Sequence, residues 1–221
     1  ETARQGAPNL FGPQRFGRDG TNPTRALAWL AGKERGPRDR HEQRLLFSAL
    51  QSMLFNRVLE RRIEDGTWTT VLPGDLAKKH DSGGLFLVAN EGPEFEDAIE
   101  RAKTVAISAT GPMYGAKMRW PEGLVKDLEL DVLTNVIPDP KRLDDFRAYG
   151  EGTRRSLRME VTGFEAADPD ASGMLAVSFV LPKGGYATTV LATACRLVDA
   201  TSRSDQAAEE DIGTENSDQS P

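Results

Sequence analysis

Apolar residues recur at four-residue spacing through Leu46, Leu50, Leu54 and Val58, with Phe47 and Met53 beside them. That period predicts one long helix over residues 40–65, stopped by Gly66. Before it, Asn22-Pro23 reads as N-cap and first helical position of a short helix over 22–31, followed by a polar loop. After it the pattern becomes mixed. Residues 67–72 and 85–89 have strand character, 94–103 is helical, and 105–110 is a strand ended by Gly111-Pro112. Two further helices, 121–135 and 141–149, each follow a proline. Beyond a boundary at 150–153 come strands over 156–164 and 174–181, joined by the turn-rich Asp168-Pro169-Asp170-Ala171-Ser172-Gly173, then a helix over 186–199. The fold class that follows is α+β.

A length of 221 residues, 38% hydrophobic, suffices for one or two domains with a real core. No apolar run approaches the roughly 18–20 residues that cross a bilayer, so no membrane partner is expected. Cys195 is the only cysteine and His41 and His80 are the only histidines, which argues against a disulfide framework and against a metal site. This composition suits a reducing cytoplasm. In its apolar helix Cys195 reads as a small buried residue.

The net charge of −6 hides an uneven distribution. Residues 201–221 hold one base, Arg203, against six acids and lack aromatics, so a disordered acidic tail is expected. Residues 1–62 hold twelve bases against six acids. An arginine-rich stretch of this kind fits phosphate contacts, and it fits a solvated helix face equally.

Two segments carry a family resemblance. Gly6-Ala7-Pro8-Asn9-Leu10-Phe11-Gly12-Pro13-Gln14-Arg15-Phe16-Gly17 resembles the "PNYFGxQRFG" signature of TruD-type tRNA pseudouridine synthases, with Leu10 in place of an aromatic. Phe179-Val180-Leu181-Pro182-Lys183-Gly184-Gly185-Tyr186-Ala187-Thr188-Thr189-Val190-Leu191 is similar to that family's "F-x-LPxGxYATxxLRE" element, although the closing Arg-Glu is absent. Weaker likenesses lie between them: residues 46–59 to the family's long helix, Gly74-Asp75-Leu76 to its "GD" turn, and Ser108-Ala109-Thr110-Gly111-Pro112 to an "A-x-LPG"-like turn.

The resemblance implies an enzyme that isomerises a uridine in tRNA, at position 13, with no cofactor and no metal. It implies the end of an N-terminal catalytic region at 1–7, a TruD insertion domain at 8–152 and a C-terminal piece of the catalytic domain at 153–200. Tyr186 would pack on the target base, with Gly184 and Gly185 letting the backbone come close to a nucleotide. Asn9, Phe11, Gln14, Arg15 and Phe16 would contact RNA. Read as residues alone, Asn9, Gln14 and Arg15 equally suit bracing of a loop, and Phe11 and Phe16 equally suit anchoring of a domain junction.

The family's nucleophilic aspartate sits in a "G-x-KD-[RK]-x-A" motif that this chain lacks, and the "N-x-F" element that follows it is expected upstream as well. Lys126-Asp127 has no glycine two residues before it, and Asp144 in Arg142-Leu143-Asp144 lies in a charged helical stretch. The chain begins at Glu1 rather than Met, so the catalytic residue, with the rest of its domain, is expected upstream. A non-catalytic RNA-binding remnant of such a synthase is the alternative. A fragment too incomplete to do either is a third.

Overall fold

The computed structural model describes residues 5–192 and 195–196. The acidic tail at 201–221 and the end of the 186–199 helix lie outside them. Helices and antiparallel sheets are mixed, as an α+β chain requires.

Helix α1 (Asn22–Leu30) leads into the 25-residue α2 (Arg40–Glu64). Asp39 caps α2 by accepting a hydrogen bond from the Glu42 backbone N–H at 2.8 Å, satisfying a donor the first turn leaves free. Gly66 ends the helix in the left-handed region, φ 67°. Asn22, expected as the N-cap of α1, is its first helical residue instead. Thr21 occupies the cap and makes no side-chain cap bond there.

Strands β2 (Leu76–Lys79), β3 (Leu85–Leu87), β4 (Ile107–Met113) and β5 (Thr153–Ser156) form an antiparallel sheet in the order β3-β2-β4-β5. Helix α3 (Pro93–Lys103) joins β3 to β4, while α4 (Gly123–Thr134) and the short α5 (Arg142–Asp145) separate β4 from β5. The C-terminal half of α2 buries Phe55 and Leu59 with Ala77, Ile107, Ala109 and Leu157 of the sheet region. Its N-terminal half buries Leu46, Phe47, Leu50 and Leu54 against α1, α4 and α5. One helix thus forms the spine of two cores.

Several sequence expectations change, each for a visible reason. Residues 67–72 are not a strand. The carbonyls of Thr67 and Thr70 accept from Arg62 at 3.0 and 3.4 Å, and that of Thr69 accepts from Arg158 at 2.8 Å, so this segment wraps two buried guanidinium groups. Gly111-Pro112 does not break its strand. β2 pairs with β4 only across Ile107–Ala109, so at Pro112 the sheet has one neighbour, β5, and a missing N–H is tolerated. Residues 141–149 form only one helical turn, after which Phe146 stacks on Phe47 with ring centroids 5.7 Å apart.

The expected single strand at 156–164 is divided among three pairings. Its first residue ends β5. β6 (Arg158–Met159) pairs with β1 (Ala7–Pro8), and β7 (Thr162–Ala166) pairs with β8 (Val177–Val180). Asp170 draws Met174 out of the last hairpin by accepting from its N–H at 2.9 Å, so β8 starts later than expected. A last helix, α6 (Ala187–Leu191), packs Val190 against Ala7, Met159 and Val161. Cys195 is exposed rather than buried, because α6 ends before it.

Candidate functional site

The two motif segments, some 170 residues apart in sequence, meet in space. The loop after β1 is held by a polar stripe on α2: Ser48, Ser52 and Asn56 stand four residues apart on one face of the helix. The Asn56 amide accepts from the Phe11 N–H at 2.9 Å and donates to the Phe11 carbonyl at 3.0 Å, as a neighbouring strand would. Arg15 donates to Ser52 Oγ at 3.1 Å and also to Ser48 Oγ. Asn9 is buried and donates to the Ser156 carbonyl at 2.8 Å.

Arg155, on β5, joins this loop to the C-terminal turn. Its guanidinium donates to Asn9 Oδ1, to the Asn9 carbonyl at 3.3 Å and to the Gly184 carbonyl at 2.9 Å. The same group lies over the Phe11 ring, 4.1 Å from its centroid. The Tyr186 ring meets Phe11 edge-on, at 6.0 Å and 63°. Gly12 leaves the room for this, since a Cβ there would lie 3.1 Å from Tyr186 Cδ1. Gly184 has φ 88°, which explains a glycine, and Gly185 faces Met159 Sδ where a Cβ would come to 3.0 Å.

Beside this junction lies a cleft of about 580 Å³. Asn9, Phe11, Arg15, Lys183 and Gly185 line it together with Lys78, Lys79, His80, Arg155 and Arg158. Among the described residues no aspartate or glutamate lines it. Arg154 also reaches its wall, but that charge is neutralised by a two-point pair with the buried Glu129 at 2.8 and 2.6 Å. Burial pulls Arg155 down to about 10, with Arg15 pushing the same way, and burial also lowers Arg158. Both stay protonated at neutral pH, which makes the cleft a site for anions. His80 sits 2.7 Å from Ser108 Oγ. Burial lowers its pKa, with Arg158 and Lys78 adding and Glu160 opposing.

Of the residues expected to matter, Asn9, Phe11, Arg15 and Gly185 line the cleft. Gly184 is engaged through its carbonyl, and Tyr186 packs on Phe11. Phe16 is half-buried against the first core and Gln14 is exposed. Sequence reasoning missed Arg155, Asn56 and the cationic wall from β2. The Ser48, Ser52, Asn56 stripe was a readable signal, because three polar residues at helical spacing interrupt an apolar face. Asn9-Leu10-Phe11 has the spelling N-x-F. Asp127 and Asp144 are both exposed, on α4 and α5, and neither lines the cleft. Among the described residues no cluster of His, Cys, Asp or Glu is arranged to hold a metal, and no helix is long and apolar enough to cross a membrane.

Known proteins give the same grouping. The family model "tRNA pseudouridine synthase D (TruD)" matches residues 39–193, a span that includes the C-terminal turn and starts after the glycine-aromatic loop. A tRNA pseudouridine synthase D of Anaeromyxobacter sp. (strain Fw109-5) is 42% identical over 200 residues, covering 86% of this chain and 54% of its own length. A Thermus thermophilus protein of the same name is 40% identical over 190 residues, covering 86% of this chain and 50% of its own length. The chain therefore spans about half the length of the curated relatives it matches. A crystal structure of a Methanosarcina mazei protein described as a TruD superposes with a TM-score of 0.65 at 23% identity, over 86% of this chain and 61% of that one, and so shares the fold. With the family model spanning most of the chain, this protein belongs to the TruD family of tRNA pseudouridine synthases.

Proposed function

We propose that this chain supplies the RNA-gripping wall of a tRNA pseudouridine synthase acting on a uridine, at position 13, in the cytoplasm. The observation that carries this reading is the meeting of Asn9, Phe11, Arg155, Gly184 and Tyr186 beside a cationic cleft without carboxylates. In this reading residues 8–152 act as the insertion domain and 153–200 as part of the catalytic domain.

A uridine inside folded RNA must leave its stack before it can be isomerised. Stacking on an aromatic side chain such as Tyr186 offsets part of that cost, by about 1–3 kcal/mol per base. Arg155, Arg15 and Lys183 hold the nucleotide's phosphates. The aspartate that helps detach uracil from C1′ and returns it through C5 comes from sequence outside residues 1–221. The base leaves and returns within one pocket, so neither cofactor nor metal is required.

The second reading, a non-catalytic RNA-binding module, is favoured by one observation: among the described residues no carboxylate lines the cleft. The deciding experiment uses the full coding sequence, including whatever precedes Glu1, and tRNA labelled with tritium at uracil C5. Tritium release that falls in Tyr186→Ala supports the synthase. RNA binding without release supports the module. Unchanged single-turnover release and binding in Tyr186→Ala would remove that residue from the site.

A further inference from the structure

A second cleft, of about 290 Å³, adjoins the first and shares Lys78, Gly83, Thr153 and Arg154 with it. It continues past them to Lys117 and Arg119, and again no aspartate or glutamate among the described residues lines it. The far wall is fixed rather than loose. Gly115 and Gly152 press their backbones together so closely that a Cβ on Gly152 would come within 2.9 Å of Gly115 Cα. The Lys117 N–H donates to the Glu151 carbonyl at 2.7 Å. The ridge between the clefts is the β2–β3 turn. There Gly83 has φ 71° and a Cβ would meet only Lys78 Cε, at 3.7 Å, so the ridge is low and open.

The charges along this path are available. Arg119 is exposed, and among the described residues no carboxylate pairs with it or with Lys78. Lys117 meets Glu151 at 2.6 Å, but both side chains are half-exposed, and such surface pairs exchange partners at little cost. Phe11 lines the first cleft beneath the Arg155 guanidinium, which lies over its ring, whereas among the described residues no aromatic side chain lines the second. The first cleft therefore presents a planar guanidinium backed by an aromatic ring, and the second presents cations alone.

We propose that the two clefts form one anion track, in which the second cleft binds the sugar-phosphate backbone of RNA nucleotides flanking the target, through Arg119, Lys117 and Lys78. The proposal rests on the reading of the first cleft as the target-nucleotide site. Because it involves phosphates and not base edges, the contact is independent of RNA sequence.

The test measures binding of a labelled tRNA transcript to the full-length protein across a salt series. Each phosphate contact contributes about 0.7–0.9 to the slope of log affinity against log salt. Lys117→Ala/Arg119→Ala is expected to weaken binding and flatten the slope by about 1.4–1.8, and Arg119→Ala alone by about half that. Lys117→Arg/Arg119→Lys, which keeps the charges, is expected to retain the wild-type slope. An alanine variant with the wild-type slope overturns the track, as does a charge-keeping variant that loses as much as the alanine one. Arg119 is exposed, so its single substitution keeps the test open if the double variant does not fold. Tritium release by the wild type is scored separately. Release with unaltered variant slopes sinks the track alone, and flattened slopes without release sink the synthase reading and leave the track standing as an RNA-backbone site.

Discussion

Removing Glu129 while leaving Arg154 in place is the sharpest perturbation of this fold. Arg154 is 7% exposed and Glu129 is fully buried, and the pair is joined through two parallel hydrogen bonds at 2.8 and 2.6 Å. Without the carboxylate, the guanidinium keeps Thr110 Oγ1 at 3.1 Å, the Thr110 carbonyl at 2.7 Å and the weak acceptor Met118 Sδ at 4.0 Å, all neutral. A buried charge stripped of its counter-charge costs about 3–5 kcal/mol. Against a usual domain stability of about 5–15 kcal/mol, Glu129→Leu should lose a large share of the total. With a urea dependence of about 2 kcal/mol per molar, the midpoint should fall by roughly 1.5–2.5 M. Trp120 is a suitable reporter, because it lies 5.9 Å from Tyr114, whose hydroxyl donates to the Glu129 carbonyl at 2.6 Å. Glu129→Leu/Arg154→Met removes both charges and should recover most of the loss, since apolar replacement of a buried pair is often neutral. A loss under about 1 kcal/mol for Glu129→Leu, or a double variant as unstable as the two single losses added, would refute the argument.

Three further outcomes follow from the site. Asn56→Ala strands the Phe11 N–H and carbonyl at about 1–3 kcal/mol per group, whereas Asn56→Asp keeps the acceptor and should cost less; amide exchange at Phe11 reads the difference. Gly12→Ala suits the local backbone, φ −77°, but puts a methyl 3.1 Å from Tyr186 Cδ1, so the full-length protein should lose tritium release with little change in its urea midpoint. His80 has its folded pKa lowered from 6.5 by burial, so the unfolded chain takes up the proton first. Stability attributable to His80 is then complete above about 6.5 and declines as pH falls from there towards the lower folded pKa, and His80→Gln should flatten that decline in urea titrations at pH 7, 6 and 5.

The parts of this fold legible in the sequence are those fixed by local chemistry. The four-residue period of α2 and its Gly66 stop both lie where the pattern puts them. What misled was context. The β-branched run at 67–72 has strand propensity, yet its carbonyls serve Arg62 and Arg158, which lie 5 and 89 residues away in the bonds formed. Pro112 reads as a breaker only if both sides of its strand are paired. Residues 156–164 alternate as one strand should, and no local signal shows that three different partners divide them. At the site, the glycine-aromatic loop and the C-terminal turn were visible as motifs. Arg155, which joins them, was not, because two consecutive arginines carry no mark of which one reaches the loop.

The buried pair and the cleft are linked through strand register. On β5, Arg154 and Arg155 are consecutive and so point to opposite faces of the sheet. Arg154 lies opposite Pro112 and reaches Glu129 on α4, while Arg155 lies opposite Gly111 and reaches Asn9 and Gly184 at the cleft. A slip of one residue would exchange the two guanidinium groups, aiming the paired one into the cleft and burying the free one beside α4. Glu129 accepts a fork of two hydrogen bonds from one position only, and a Cβ at Gly111 would collide with Leu157 at 2.8 Å and Phe55 at 2.9 Å, so this stretch of β4 admits no bulkier residue. The costly ion pair thereby fixes which arginine joins the loop near the start of the chain to the turn near its end.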